Sequence, residues 1–145
     1  MKTKYFELTK NLTNLQYFPL LLIRLILAYG FYGPAMEKIK DVGAIAEWFQ
    51  SMGIPAPTLN AYLATYTELA GVVFLTLGFA TRFITIPLII TMLVAIKTVH
   101  WQNGFSASDN GYEIPLYYMV MLITLFFSGP GRLSLDYLIS KKMNS

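Results

Sequence analysis

The sequence contains no cysteine, a single histidine and few charged residues, since only 13% of its 145 residues are Asp, Glu, Lys or Arg. The absence of cysteine excludes disulfide bonds, dithiol redox chemistry, thiolate zinc sites, iron–sulfur clusters and covalent c-type haem. With His100 as the only histidine, bis-histidine haem ligation is excluded as well. We therefore expect no haem, no iron–sulfur cluster and no structural metal in this chain.

Hydrophobic residues take the place of charge, making up 55% of the sequence, and 15% of the residues are aromatic. A soluble domain has about 25% charged residues. Four apolar runs approach the length of about 20 residues that a membrane-spanning helix needs, at 15–36, 59–80, 83–101 and 112–128. They predict an all-α membrane protein, a four-helix transmembrane bundle. Apolar residues at helical spacing over 42–52 predict a short amphipathic helix at the membrane surface between the first and second spans.

Basic residues are unevenly divided between the two ends of this bundle. Four spans place both termini on one side, and that side carries Lys2, Lys4, Lys10, Arg82, Arg132, Lys141 and Lys142, whereas the other carries Lys38, Lys40 and Lys97. Basic residues favour the cytoplasmic side, so both termini are predicted to be cytoplasmic. The predicted organisation is a cytoplasmic segment over 1–14, the four-helix domain over 15–136 and a cytoplasmic tail over 137–145. This use of the basic residues argues for a lipid bilayer as the partner and against nucleic acid.

Two charged residues are predicted to lie deep in the membrane, Arg24 in the first span and Glu68 in the second. Each such group costs about 2.5 to 3.5 kcal/mol at the centre of a span, so each needs a partner or a function. Because the two helices are antiparallel, Arg24 and Glu68 are expected at similar depth, and we predict an ion pair between them. The pair either fixes the helix register or orients a polar ligand and relays protons.

A second group of polar residues falls at the outer ends of the helices. Candidate catalytic residues are Lys97, His100 and Glu113, and candidate ligand-binding residues around them are Glu37, Lys38, Trp101 and Tyr112. Such a pocket suits a flat carbonyl compound, because aromatic rings stack on it and an imidazole exchanges protons near neutral pH. Alternatively, the same residues only extend toward water, as interfacial residues do. One histidine with two carboxylates is a weak metal signal, and no metal site is predicted.

Several short motifs resemble the DoxX family over about residues 17–136. They include Arg24 with the later Gly33-x-x-Met36-Glu37-Lys38, then Glu68-Leu69-Ala70-Gly71, His100-x-x-Asn103-Gly104-Phe105 and Gly111-Tyr112-Glu113. The resemblance implies a small, multi-pass protein of the bacterial inner membrane, related to subunits of membrane oxidoreductases such as a thiosulfate:quinone oxidoreductase. The family's recurring polar positions correspond here to Arg24, Lys38, Glu68, Arg82, His100, Asn103 and Glu113, which adds Asn103 to the candidate ligand-binding residues.

Three functional hypotheses follow. In the first, the chain is the quinone-interacting subunit of an oxidoreductase system, binds quinone non-covalently and exchanges electrons with a partner protein. In the second, it is a non-catalytic membrane scaffold or assembly factor for a partner. In the third, its buried charges form a small transport or proton pathway. A standalone enzyme is disfavoured because nothing in the chain accepts electrons unaided. A homo-oligomer is compatible with all three hypotheses.

Overall fold

The computed structural model of the chain describes Glu7 and residues 15–143. Six α-helices and no strand lie in this part of the chain: α1 (Tyr17–Lys40), α2 (Val42–Ser51), α3 (Pro57–Leu77), α4 (Thr81–Ala95), α5 (Glu113–Ser128) and α6 (Leu135–Met143). Beyond α4 the helix continues as a π-helical turn, Ile96–His100, and a 3₁₀ turn, Trp101–Asn103; a second 3₁₀ turn, Ala107–Asp109, precedes α5.

Proline and glycine set several of the helix boundaries. Pro57 is the first residue of α3, where a missing N–H is no loss. Gly78 ends α3 in the left-handed conformation at φ +65°, and its N–H bonds to the carbonyl of Phe74. Asp41 starts α2, because its carboxylate accepts a hydrogen bond from the N–H of Ala44 at 2.9 Å. Gly129 ends α5.

The four longest helices pack side by side in a ring, in which α1 contacts α3, α3 contacts α4, α4 contacts α5, and α5 contacts α1. Leucines fill the centre, and Leu27, Leu75, Leu88, Leu122 and Leu125 are all fully buried. The helix α2 packs against the N-terminal part of α3 in a separate cluster formed by Ala46, Phe49 and Ala61. The ring therefore has a largely apolar interior, and the buried polar residues of its four helices are Arg24, Thr65, Glu68, Thr81 and Thr85.

Helices coincide with all four predicted runs and with the predicted segment between the first two. By length and composition, Tyr17–Lys40 and Thr81–Asn103 are apolar enough to cross a membrane, and Glu113–Ser128 is a shorter apolar helix. The π-helical turn within the third run is not readable from the sequence. The predicted segment 1–14 lies outside the described residues except for Glu7, whereas most of the predicted tail, 137–145, belongs to α6.

Candidate functional site

A buried ion pair joins the last turn of α1 to the middle of α3. The ammonium Nζ of Lys38 donates to Oε1 and Oε2 of Glu68, at 2.6 and 2.7 Å. The Glu68 side chain is 3% exposed and that of Lys38 is 19% exposed. One turn away, the buried hydroxyl of Thr65 donates to the carbonyl of Ala61. Through Lys38, which is partly exposed, the buried carboxylate is connected to the surface.

The predicted pair between Arg24 and Glu68 is wrong. The partner of Arg24 on α3 is Leu75, seven residues or about 10 Å further along α3 than Glu68. Side chains lean toward the N-terminus of their own helix, and the N-termini of α1 and α3 lie at opposite ends of the ring. Arg24 and Glu68 therefore lean away from each other. Lys38 lies beyond Glu68 on the other side, and those two side chains lean toward each other.

Arg24 instead binds backbone carbonyls. Its Nε donates to Leu75 O at 2.9 Å, Nη2 to Thr76 O at 3.1 Å, and Nη1 to Pro130 O and Leu133 O at 2.9 and 2.8 Å. The last carbonyls of a helix have no partner within the helix, and they carry its partial negative charge. Arg24, which is 1% exposed, satisfies them in α3 and joins α3 to the connection between α5 and α6.

At the same end of the ring a second charged side chain binds backbone groups at a helix end, and the sequence analysis did not predict this contact. The carboxylate of Asp136, in α6, accepts hydrogen bonds from the N–H groups of Ala80 and Thr81 at 2.7 and 3.0 Å. These are free N–H groups at the start of α4, where a carboxylate is favoured. Asp136 is the last residue of the stretch 17–136 that resembles the DoxX family, but its backbone partners follow only from the fold.

At the opposite end, the π-helical turn carries two of the predicted residues. Lys97 is exposed, whereas His100 is half-buried and its Nδ1 lies 2.8 Å from the carbonyl oxygen of Asn110. A carbonyl only accepts, so Nδ1 carries the hydrogen and Nε2 of the neutral ring is left as the proton acceptor. The amide of Asn103 donates to the same carbonyl at 3.1 Å. The backbone of Asn110, in the left-handed region at φ 59°, presents this carbonyl to both side chains.

The remaining outer residues form a connected surface with His100. The ring of Trp101 stacks on Tyr112 at 5.4 Å, and Phe105 meets Tyr112 edge to face at 5.6 Å. Glu113 accepts from the N–H of Ala107 and from the hydroxyl of Tyr117, at 2.9 and 3.1 Å. We name this group of residues (His100, Trp101, Asn103, Phe105, Tyr112 and Glu113) the aromatic platform.

The structure therefore divides eight of the ten predicted site residues among three places, and the exposed Glu37 and Lys97 belong to none of them. Lys38 and Glu68 form one contact, Arg24 lies at the other end of the ring, and His100, Trp101, Asn103, Tyr112 and Glu113 belong to the aromatic platform. Glu37 is exposed on α1 and does not share the contact of its neighbour Lys38 with Glu68. Within residues 15–143, no group of three or more His, Asp and Glu side chains is placed to share a metal ion.

Comparison with known proteins gives consistent results. The family model DoxX matches residues 19–101. A relative from Haemophilus influenzae without an assigned function is 38% identical over 127 residues, covering 84% of this chain and 83% of its own. An uncharacterized membrane protein of Mycobacterium tuberculosis is 30% identical over 83% of this chain and 80% of its own.

A third relative, from Bacillus subtilis, carries the name "Putative oxidoreductase CatD" and is 28% identical over 83% of this chain and 87% of its own. No solved structure matches the chain. The family match extends over more than half of the chain and includes α1, α2, α3 and α4 with Arg24, Lys38, Glu68 and His100. This protein belongs to the DoxX family of membrane proteins.

Proposed function

We propose that this chain is a four-span protein of the bacterial inner membrane with both termini in the cytoplasm, and the quinone-interacting subunit of an oxidoreductase system. The observation that carries the proposal is the buried ion pair between Lys38 and Glu68. A relative named as an oxidoreductase supports the redox assignment.

Helix lengths support the four spans. At a rise of about 1.5 Å per residue, α1 with 24 residues is about 36 Å long and α3 with 21 residues is about 31 Å. The hydrocarbon core of a bilayer is about 30 Å thick. The helix α5, with 16 residues, is shorter than this thickness, a difference that a bilayer accommodates by local thinning. In this arrangement α2 and the aromatic platform lie at the outer surface, and Arg24 lies toward the cytoplasm.

An ion pair at this depth calls for a function. Replacing a buried pair by apolar side chains of similar volume is often neutral or stabilising, so folding alone gives little reason to keep the two charges. Charged residues within spans commonly mark proton or ligand pathways. The partial exposure of Lys38 supplies access, because a ligand reaching its ammonium from the side of α1 also comes within reach of the Glu68 carboxylate.

The pair suits the chemistry of a quinone. Reducing a quinone to a quinol takes two electrons and two protons, one proton for each carbonyl oxygen. In the proposed site, the Lys38 ammonium donates a hydrogen bond to one carbonyl oxygen, and Glu68 passes protons from solvent to the oxygens as they gain charge. In this proposal the two electrons come from a reduced partner protein, because the chain has no cysteine thiol that could supply them.

The two tryptophans allow a direct test of where a quinone binds, since Trp48 lies on α2, which packs against the N-terminal part of α3, and Trp101 lies in the aromatic platform. Quinones quench tryptophan fluorescence at short range. We would titrate a short-chain ubiquinone analogue into the purified protein and into Trp48→Phe and Trp101→Phe variants. Saturable quenching of Trp48 in the Trp101→Phe protein is the expected result.

Matched variants connect this binding to the ion pair. Glu68→Gln is expected to weaken saturable quenching at least about tenfold, whereas Glu37→Gln, which removes an exposed carboxylate from the neighbouring position on α1, leaves it unchanged. Quenching of Trp101 alone, abolished by His100→Ala, would move the quinone to the aromatic platform. Absence of saturable quenching of both tryptophans in a folded protein would overturn the proposal.

A scaffold or assembly role is the second candidate, and a separate observation favours it. Arg24, Asp136 and Glu113 all bind backbone groups and hold connections between helices in place. In this role, the three residues stabilise the folded structure that a partner protein recognises. Two results together would favour this role over the first. Glu68→Gln would lower the amount of folded protein in membranes, and the original protein would co-purify with a partner but without bound quinone.

A further inference from the structure

A pocket opens at the end of the ring where α1 begins, between the start of α4, the end of α5 and the helix α6. Its volume is about 520 Å³, within the range of about 300 to 1,000 Å³ typical of ligand pockets. It is separate from both groups of residues considered above, because Lys38 and the aromatic platform lie toward the opposite end. The residues that matter for its chemistry are Arg82, Phe83, Arg132, Asp136, Tyr137 and Ser140.

Two guanidinium groups line this pocket. Arg82 donates to the carbonyl of Phe127 at 3.2 Å, which holds its side chain across the end of α5 and occupies one of its five N–H groups. Arg132 is exposed, and among residues 15–143 the ion pair of Lys38 with Glu68 is the only one formed. Both arginines thus present N–H groups that suit the oxygens of a phosphate.

The one carboxylate lining the pocket does not offset this charge by pairing with either arginine. Both oxygens of Asp136 accept hydrogen bonds from the backbone N–H groups of Ala80 and Thr81. The carboxylate is therefore directed at the start of α4. An anion entering the pocket meets the two guanidinium groups together with the side chain of Tyr137, whereas the hydroxyl of Ser140 donates to the carbonyl of Tyr137.

Large aromatic side chains stand beside the two arginines. Phe83, which lines the pocket, is 78% exposed, and Phe127, whose carbonyl binds Arg82, is 74% exposed. Aromatic side chains left this exposed are unfavourable in water and favourable against acyl chains. A polar wall that matches a phosphate thus adjoins an apolar wall that matches hydrocarbon, at the end of the helices where the excess of basic residues lies.

We propose that this pocket binds the phosphate headgroup of an anionic phospholipid, with Arg82 and Arg132 on the phosphate oxygens and Phe83 against the acyl chains. Basic pockets between helices at the cytoplasmic surface recognise anionic headgroups in this way. The site is independent of the quinone proposal, since none of its residues contacts Lys38 or Glu68.

Native mass spectrometry of the full chain in a neutral detergent tests the site. Phosphatidylglycerol and phosphatidylcholine with the same acyl chains are added separately, and bound lipid is counted. We expect one phosphatidylglycerol to be retained at concentrations where phosphatidylcholine is lost. Arg82→Gln combined with Arg132→Gln is expected to reduce retention at least about tenfold. The matched control removes two basic residues of α6 that do not line the pocket, Lys141→Gln and Lys142→Gln, and retains the lipid.

Inorganic phosphate distinguishes a bound lipid from a bound soluble anion. Excess inorganic phosphate could displace the lipid and protect the protein against thermal unfolding as strongly as the lipid does. In that case the site binds a soluble phosphate, and the lipid assignment is overturned. Equal retention of both lipids, or loss of binding only in the lysine control, overturns it as well. The single variant Arg132→Gln controls for a folding defect, because Arg132 donates to no backbone carbonyl in the described structure. It is expected to weaken retention of phosphatidylglycerol while the thermal stability of the protein stays unchanged.

Discussion

Toward each end of α1 a basic side chain reaches α3, Arg24 buried and Lys38 partly exposed, and the two contacts differ in kind. Arg24 gives its hydrogen bonds to four carbonyl oxygens, two in the last turn of α3 and two in the connection between α5 and α6, whereas Lys38 gives its hydrogen bonds to the two oxygens of one carboxylate. Backbone carbonyls do not titrate, and the fold fixes their positions. A carboxylate gains and loses protons and accepts other donors. Arg24 therefore holds backbone segments together, and the proposed function depends on the Lys38 end.

The largest expected effect comes from removing the guanidinium group. Arg24→Leu leaves the carbonyls of Leu75, Thr76, Pro130 and Leu133 without this donor, and hydrogen bonds from charged groups contribute about 1.5 to 3 kcal/mol each. We expect the free energy of unfolding to fall by about 4 kcal/mol or more, as measured by reversible denaturation in mixed micelles. Arg82→Gln, which loses a single bond at the surface, is the control and is expected to change it by less than about 1 kcal/mol. Equal losses would remove the distinction drawn for Arg24.

Breaking and then replacing the ion pair is the next test. Lys38→Met leaves a buried carboxylate without its partner, so we expect a loss of about 3 kcal/mol. Lys38→Met combined with Glu68→Leu removes both charges, and we expect stability within about 1 kcal/mol of the original protein, with quinone binding abolished. A double variant as unstable as the single one would show that the pair serves the fold, and the two ends of α1 would then be alike.

Gly78 tests how closely the chain is packed around Arg24. A Cβ atom there would lie 2.5 Å from Cβ of Ser134 and 2.7 Å from Cζ of Arg24, on a residue with φ +65°. Gly78→Ala is expected to lower the free energy of unfolding by about 1 to 3 kcal/mol. Gly33→Ala is the matched control, because nothing lies within 4 Å of its Cβ position in α1, and it is expected to be neutral or slightly stabilising. A neutral Gly78→Ala would mean that the Arg24 end accommodates added volume.

The smallest effect is expected at Asp136. Asp136→Asn keeps one oxygen acceptor for the start of α4 and loses the second acceptor and the negative charge, which predicts a loss of about 1 kcal/mol. The loss is expected to shrink at high salt, because the charge contribution is screened. Thermal unfolding at two salt concentrations measures both parts. A loss as large as that of Arg24→Leu would place the carboxylate at the centre of this end of the fold.

Much of the fold is readable from the sequence because apolar runs and their punctuation by proline and glycine are local signals. Pro57 and Gly129 stand at helix ends, and the helix α2 follows from the spacing of Ala46 and Phe49. Lys38 and Glu68 were both identified as candidate ligand-binding residues, but not as partners. Depth in the membrane alone favours Arg24 as the partner of Glu68. The pairing is decided by the direction in which each side chain leans along its helix, and this direction can be compared only when the register of the two helices is known.

Backbone partners account for most of what the sequence did not reveal. The carbonyl of Asn110 is directed at His100 only because the backbone of Asn110 adopts the left-handed conformation. The π-helical turn depends on one residue more than an α-helix accommodates, and no residue type signals it. A sequence gives the identity of the polar side chains, whereas the backbone N–H and carbonyl groups to which they hydrogen-bond are known only from the fold.

The contacts of Arg24 also impose an order on synthesis. The carbonyl of Leu133 follows Arg24 by 109 residues, so a ribosome adding about 5 to 20 residues per second needs on the order of 5 to 20 s to supply it. During that interval the guanidinium group of Arg24 lacks two of its four carbonyl acceptors. The hydrogen bonds of an early helix are thus completed only after the connection between α5 and α6 has been synthesised.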